Sequence, residues 1–376
     1  MPRLKFLLIG IATLSIFFSC ATKKIIETPQ PLAIPKQPIK KKKKTPKNII
    51  FMIADGTGIS QISATQFYHS EPSNYERFKH IGLIKTSSAS DLITDSAAGA
   101  TAFSAGVKTY NGAIGVNTDT IATPTLLEDL SERGYATGVI ATSTITHATP
   151  ASFYAHVRYR KMEEEIAEAL TYSSVDFFAG GGLQFFTDRS DKKDLISELT
   201  KNGFEIETTS LNGNITTDPN KKYGFLLADG GMPKMIEGRG SFLYDATALG
   251  LSYLKKDKDG FFLMVEGSQI DWGGHNNDSD YLIGEMIDFD VVLGNVLDFA
   301  KKDKNTLVIV TADHETGGFT LASDDGNYNK IKPSFSTGGH SATMVPVFAY
   351  GPGAEEFSGI YENTAIYEKI KALLKL

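Results

Sequence analysis

Asn48–Ala54 (NIIFMIA) and Thr306–Thr311 (TLVIVT) are short, unbroken apolar runs, and the chain changes character immediately beyond each of them. Asp55 follows the first and Asp313-His314 lies just past the second. Gly138–Thr142 (GVIAT), Gly260–Val265 (GFFLMV) and Val345–Tyr350 (VPVFAY) are runs of the same kind. A strand covered on both faces has no polar side to show, so such runs suit the buried strands of a parallel sheet. Between them lie helix-like segments, among them Pro124–Arg133, Met162–Leu170, Ala246–Lys255 and Tyr281–Ala300. That alternation predicts an α/β three-layer sandwich, a large and mainly parallel central sheet flanked by helices. With no internal repeat and no second linker, residues 48–376 read as one domain.

Four of the runs lead into polar clusters: Asp55, the His147-Ala148-Thr149 segment, Glu266 and Asp313-His314. Open α/β sheets bind their ligands at the carboxyl ends of strands. A single Asp after a strand is more often a turn former, but several clusters at the same kind of position point to a site.

The composition is that of a folded globular chain, 41% apolar and 22% charged over 376 residues. The net charge of −6 is unevenly spread: residues 1–47 carry eleven Lys/Arg and one Glu, which leaves −16 on the rest. An acidic body excludes the basic footprint of non-specific nucleic-acid binding, so no specific nucleic acid is expected as a partner. An anionic substrate would have to be met by something other than surface Lys and Arg.

Met1–Cys20 has a basic start (Arg3, Lys5), an apolar stretch from Phe6 to Phe18 and then Ser19-Cys20. It is too short to span a bilayer and has the form of a signal peptide. The Ser-Cys ending resembles a bacterial lipoprotein signal. This implies export to the periplasm or cell envelope and attachment to a membrane through lipidated Cys20; an ordinary cleaved leader is the alternative. Residues 21–47, with five prolines and the run Lys40–Lys44, read as an extended tether that either touches anionic lipid or is simply a solvated spacer. Cys20 is the only cysteine, so packing and bound metal, not disulfides, must stabilise the exported body.

Of seven histidines, three sit in Gly- or Asp-rich contexts: Asp271-Trp272-Gly273-Gly274-His275, Asp313-His314-Glu315 and Gly338-Gly339-His340. Asp271 and His275, four apart, can bind one ion from a single helical turn or tight loop. Asp313 and His314 could share a second. His/Asp mixtures without thiolate suit catalytic zinc, whereas the oxygen donors of Asp55, Thr149 and Glu266 suit a harder ion such as magnesium. Ser96, in Thr94-Asp95-Ser96-Ala97-Ala98-Gly99, opens a small-residue helix whose free N–H groups favour an anion. It is a candidate nucleophile, with helix capping by Asp95 or Ser96 as the plainer alternative.

Asp55-Gly56, TDSAAGATA, HATPASFYAHVRYR, MVEGSQIDWGGH, VTADHETGG and the GGH before the Val345 run, in this order, resemble bacterial alkaline phosphatases, most nearly the compact cold-active ones. The resemblance implies a phosphate-monoester hydrolase with a phosphoserine intermediate and an alkaline optimum. It implies Ser96 as nucleophile and Arg160 as a clamp on two phosphate oxygens. It implies two zinc ions, one on Asp271, His275 and His340 and the other on Asp55, Asp313 and His314. A magnesium ion would be held by Asp55, Thr149 and Glu266. His147 and Trp272 would stand just behind these groups, where the best-studied enterobacterial enzyme has Asp and Lys. A homodimer is expected by the same likeness.

The related alternatives are weaker. Ser96 is followed by Ala-Ala-Gly and not by the C/S-x-P-x-R pattern of sulfatases. A diesterase has no evident use for Arg160, and a catalytically dead binding lipoprotein would be expected to lack Ser96 or a ligand. The glycines at 99, 273, 274, 338 and 339 would permit mobility or tight turns, and Phe177–Phe186 reads as core and turn without chemistry.

Overall fold

Every residue of Asn48–Ala54 is buried, and its side chains alternate between two cores. Ile49, Phe51 and Ile53 face Ala97, Ala100 and Phe103 of helix Ser96–Ala105. Ile50, Met52 and Ala54 face Leu282, Met286 and Phe289 of helix Ser279–Asp303. Phe51 meets the Phe103 and Phe153 rings edge to face, with centroids 5.5 and 6.0 Å away. A sheet with a separate apolar core on each face is the three-layer arrangement. The computed structural model describes residues 45–211 and 215–376. The leader, Cys20 and most of the tether lie outside these residues. Among the described residues, no helix is long and apolar enough to cross a membrane.

The strands in chain order are β1 (Asn48–Ala54), β2 (His80–Lys85), β3 (Ala136–Thr144), β4 (Phe177–Gly181), β5 (Phe204–Glu207), β6 (Lys222–Leu226) and β7 (Phe261–Gly267). They continue as β8 (Thr306–Thr311), β9 (Glu315–Thr316), β10 (Thr320–Asp324), β11 (Asn327–Ser334), β12 (His340–Ser341), β13 (Val345–Tyr350) and β14 (Gly359–Glu362). Ten of them form one sheet in the order β14-β2-β13-β8-β1-β7-β3-β4-β6-β5. Only β13 runs against its neighbours, β2 and β8. β10 and β11 pair as a separate hairpin, and β9 pairs with β12.

The order matters for the site. β8, β1, β7 and β3 are adjacent and parallel, with Ile53 paired to both Thr311 and Glu266 and Glu266 paired to Ala141. Neighbouring strands lie about 4.8 Å apart. The four polar clusters that follow these strands, or end them, are therefore delivered side by side to one edge of the sheet. His340 arrives by another route, through the antiparallel β9–β12 pairing that sets it opposite Thr316.

Candidate metal centre and nucleophile

The Ser96 helix begins at that edge. Asp95 is its N-cap and accepts from Ala98 N at 3.0 Å, so Ser96 is the first helical residue and is itself almost fully buried. The helix can approach this closely because position 99 is glycine: a Cβ there would lie 2.9 Å from Asp313 Cβ. Close packing, not mobility, accounts for Gly99.

Three ligand groups converge in front of Ser96: Asp271, His275 and His340; Asp55, Asp313 and His314; and Asp55, His147 and Glu266. Thr149 joins the third group on the short helix Ala148–Ala151, with its Oγ1 buried and unpartnered. Asp55 belongs to two of the groups. Ser96 Oγ lies 3.3 Å from His314 Nε2.

The imidazole contacts fix which nitrogen carries the proton. His275 Nδ1 lies 2.8 Å from Gly338 O, and His340 Nδ1 lies 2.8 Å from Thr94 O. A carbonyl only accepts, so both Nδ1 atoms donate and both Nε2 atoms present lone pairs. Those two lone pairs face each other across 3.1 Å, with Asp271 oxygens 3.4 and 3.5 Å away. His314 Nε2 likewise faces Asp313 Oδ2 at 3.2 Å and Asp55 Oδ1 at 3.5 Å. Burial holds His314 well below the usual histidine range, so these are not ion pairs.

The carboxylates are in the same condition. Both oxygens of Asp55, Oδ2 of Asp313 and Oε1 of Glu266 are buried with no donor. Burial, reinforced by Asp313, Asp271 and Glu266, pushes Asp55 well above the carboxylate range, and burial brings Glu266 up to about 7. Acceptors turned toward acceptors in a dry interior are costly unless a cation lies among them. The carboxylates of Asp55, Asp313 and Glu266 and the facing Nε2 atoms of His275, His314 and His340 suit such a cation.

Arg160 stands over the groups. Its NH1 donates to Asp95 Oδ2 at 2.9 Å and its NH2 lies 3.2 Å from His147 Nε2. Burial would lower the guanidinium pKa, but Asp95 outweighs it and keeps Arg160 firmly charged. Burial raises and Arg160 lowers the pKa of Asp95, and with the Ala98 and Gly112 amides the net effect is downward. His147 is uncharged, its pKa depressed by burial, Arg160 and Lys161. Trp272, on helix Gln269–His275 with Asp271 and His275, meets the His147 ring edge-on at 5.8 Å.

All twelve residues singled out from the sequence come together here. Two contributors were missed. Asp95 was read only as a cap, yet its free oxygen anchors Arg160. Thr316 was not read at all: its hydroxyl donates to Asp271 Oδ1 at 2.5 Å and lies 3.2 Å from His314 Nδ1. It lies within the VTADHETGG stretch, where nothing separates it from its neighbours, and its place two residues after His314 on β9 sets it beside the ligands.

A buried serine at a helix N-terminus, facing clustered ionic ligands with one fixed guanidinium above them, defines a hydrolase of anionic esters. The alkaline phosphatase family matches residues 46–334, and the chain belongs to that family. Alkaline phosphatase 3 of Bacillus subtilis is 37% identical over 416 aligned positions, which cover 87% of this chain and 89% of the relative. The structure of the alkaline phosphatase from the Antarctic bacterium TAB5 aligns at 57% identity with a TM-score of 0.86, covering 89% of this chain and 99% of that one. A histidine-to-aspartate mutant of that enzyme, with Mg bound in its M3 site, aligns at 57% identity over the same shares with a TM-score of 0.85. The chain is a phosphatase acting on phosphate monoesters.

Proposed function

We propose that the chain hydrolyses phosphate monoesters through a phosphoserine on Ser96, at a centre of two zinc ions and one magnesium ion, with activity rising toward alkaline pH. The observation that carries this is the set of buried, donorless oxygens of Asp55, Asp313 and Glu266, grouped around Asp55 next to His314, whose Nε2 faces the Ser96 hydroxyl. Asp271, His275 and His340 would hold one zinc; Asp55, Asp313 and His314 the other. Asp55, Thr149 and Glu266 would hold magnesium, with His147 beside them. The magnesium named in the TAB5 mutant structure supports a place for that ion. When bound, the ions supply Lewis-acid stabilisation of the attacking and leaving oxygens of an in-line displacement. Their six positive charges outweigh the four carboxylates, which gives an acidic protein a cationic pocket.

The protein's own residues do the positioning. Arg160, with one N–H given to Asp95, keeps others for two phosphoryl oxygens. Ser96 Oγ gives up its proton and forms the new O–P bond as the ester O–P bond breaks; the alkoxide takes up a proton and leaves as the alcohol, and the helix end stabilises the phosphoryl charge. Water entering from the open side then forms the next O–P bond, and Ser96 Oγ departs with a proton. Higher pH favours loss of the serine and water protons, hence the alkaline optimum.

The test is hydrolysis of an aryl phosphate monoester and its diester from pH 7 to 10, with zinc and magnesium, after chelation, and by Ser96→Ala. Monoester turnover that rises with pH and is lost on chelation and in the mutant, together with acid-trapped phosphate on Ser96, is the expected result. A preference for the diester would overturn the role given to Arg160. The leader and its terminal cysteine further support export and a lipid anchor at Cys20. The homodimer and cold activity rest on the family likeness.

A further inference from the structure

The Thr316 hydroxyl stands between the first two ligand groups and belongs to neither. It has one proton, and the 2.5 Å contact with Asp271 Oδ1 takes that proton, because a carboxylate oxygen is the acceptor there. Its remaining capacity is as an acceptor, so His314 Nδ1, 3.2 Å away, must be the donor. That places the His314 proton on Nδ1 and leaves Nε2 as a lone pair aimed at Asp55, Asp313 and Ser96.

We infer that Thr316 is a positioning residue that couples the two zinc-binding groups: one hydroxyl orients Asp271 of one group and sets the tautomer of His314 in the other. Two features of the packing agree. Thr316 is fully buried, with β12 paired on one side and the Asp271 helix on the other, so the hydroxyl has no competing water. Gly56, at φ +71°, leaves room for it, since a Cβ there would lie 2.7 Å from Thr316 Oγ1 and 2.8 Å from Asp271 Cα. The turn that carries the shared Asp55 therefore closes directly over the relay. A ligand whose outer hydrogen bond is removed typically loses about 10–100-fold in metal affinity. Here one deletion reaches ligands of both groups.

The inference rests on the proposed zinc sites, and the experiment separates the two. Zinc binding to the metal-stripped enzyme is measured by competition with a chromogenic chelator for the wild type, Thr316→Val and Thr316→Ser. Valine keeps the shape and a methyl against Gly274 but removes the hydroxyl; serine restores the hydroxyl. The expected result is two tight zinc equivalents in the wild type, both weakened about 10-fold or more in Thr316→Val, and both recovered within about 3-fold in Thr316→Ser. Imidazole nitrogen NMR of the metal-stripped protein adds a readout that a merely structural role would not move. A protonated Nδ1 at His314 is expected in the wild type and in Thr316→Ser, and a mixture of tautomers in Thr316→Val. If the wild type takes up no zinc, the zinc reading itself fails. If it takes up two equivalents and valine weakens neither or only one, or leaves the His314 tautomer unchanged, the coupling is wrong and the zinc reading stands.

Discussion

The ligand group around His314 and the group around His275 touch, since the His314 and His340 rings stack with centroids 3.5 Å apart. In other respects they are opposites. Asp55, Asp313 and His314 follow β1 and β8 at the centre of the sheet and are wholly buried. Asp271 and His275 ride on a seven-residue helix, His340 on a two-residue strand, and the His275 side chain is 39% exposed. The first group is held by the main core, the second by small elements and the carbonyls of Gly338 and Thr94. The enclosed group adjoins Ser96, as the proposed mechanism requires of the group that would activate a nucleophile. The open one faces the solvent, where an alcohol must leave and a water must enter.

If that contrast is real, mutations in the two groups must differ in kind. Asp313→Asn should lower kcat by about 10³-fold or more and remove one zinc equivalent that added zinc does not restore, because no solvent can replace the lost charge. Metal analysis beside steady-state kinetics checks this. His275→Ala should cost less, roughly 100-fold at trace zinc, with most of the loss regained as zinc is raised, since water can take the open position. Equal, irreversible losses in both variants would abolish the distinction.

Chelator stripping tests the same contrast through rates. Zinc release should be biphasic, with the open group emptying at least about 10-fold faster than the enclosed one, which needs a local opening of the sheet edge. Asp95→Asn should not discriminate between the groups, because Arg160 feels the carboxylates of both. KM is expected to rise about 10-fold, with a smaller fall in kcat.

The smallest effect belongs to a histidine outside the groups. His156 Nε2 faces Glu128 Oε1 at 2.9 Å and its Nδ1 faces Gly115 O at 2.6 Å. Its bond to Glu128 raises the His156 pKa, despite burial. Burial alone would raise the Glu128 pKa, but the bonds from His156 and the Thr125 amide outweigh it and lower it. The histidine's contribution is whole below its unfolded value of 6.5 and is lost as pH rises through the raised folded one. The carboxylate's is whole above 4.5 and is lost as pH falls through the lowered one. The pair is therefore strongest between pH 4.5 and 6.5. His156→Gln should lower the melting temperature by about 2 °C in that window and by less at pH 8 or above, with metal content unchanged.

The sequence shows the centre of the sheet better than its flank. Asn48–Ala54, Thr306–Thr311 and Val345–Tyr350 are strands with those bounds, because their burial on both faces writes itself as continuous apolar residues. Phe177–Phe186 is core and turn as its composition suggests: Phe177–Gly181 is the fully buried β4, Gly182 turns at φ +99°, and a short helix follows. Its glycines, like Gly224 in β6, weaken the strand signal, and Gly224 is glycine because a Cβ there would lie 2.3 Å from the Phe178 ring. At the site, the types of ligand could be read because Asp, Glu and His recur after several strands, whereas any one of them alone would pass for a turn former. Spacing alone joins only Asp271 with His275 and Asp313 with His314; the family likeness adds His340 to the first pair and Asp55 to the second, and the structure brings those same sets together. Ser96 and His314 are 218 positions apart, and only the strand order joins them. Asp95 and Thr316 were invisible for a different reason: both look like ordinary capping or strand residues until their second hydrogen bond is seen.

The placement of β1 between β7 and β8 also governs how the molecule comes into being. β1 enters near the start of the body, yet its partners begin at Phe261 and Thr306. Contacts of such long sequence separation are costly to close and tend to form slowly. The first half of the chain thus holds Ser96, Asp55 and Thr149 without Glu266, Asp271, His275, His314 or His340. On the proposed mechanism the site is complete only when β8 and the later β9–β12 pairing that brings His340 are both in place, so the appearance of activity during refolding is a clock for completion of this edge of the fold.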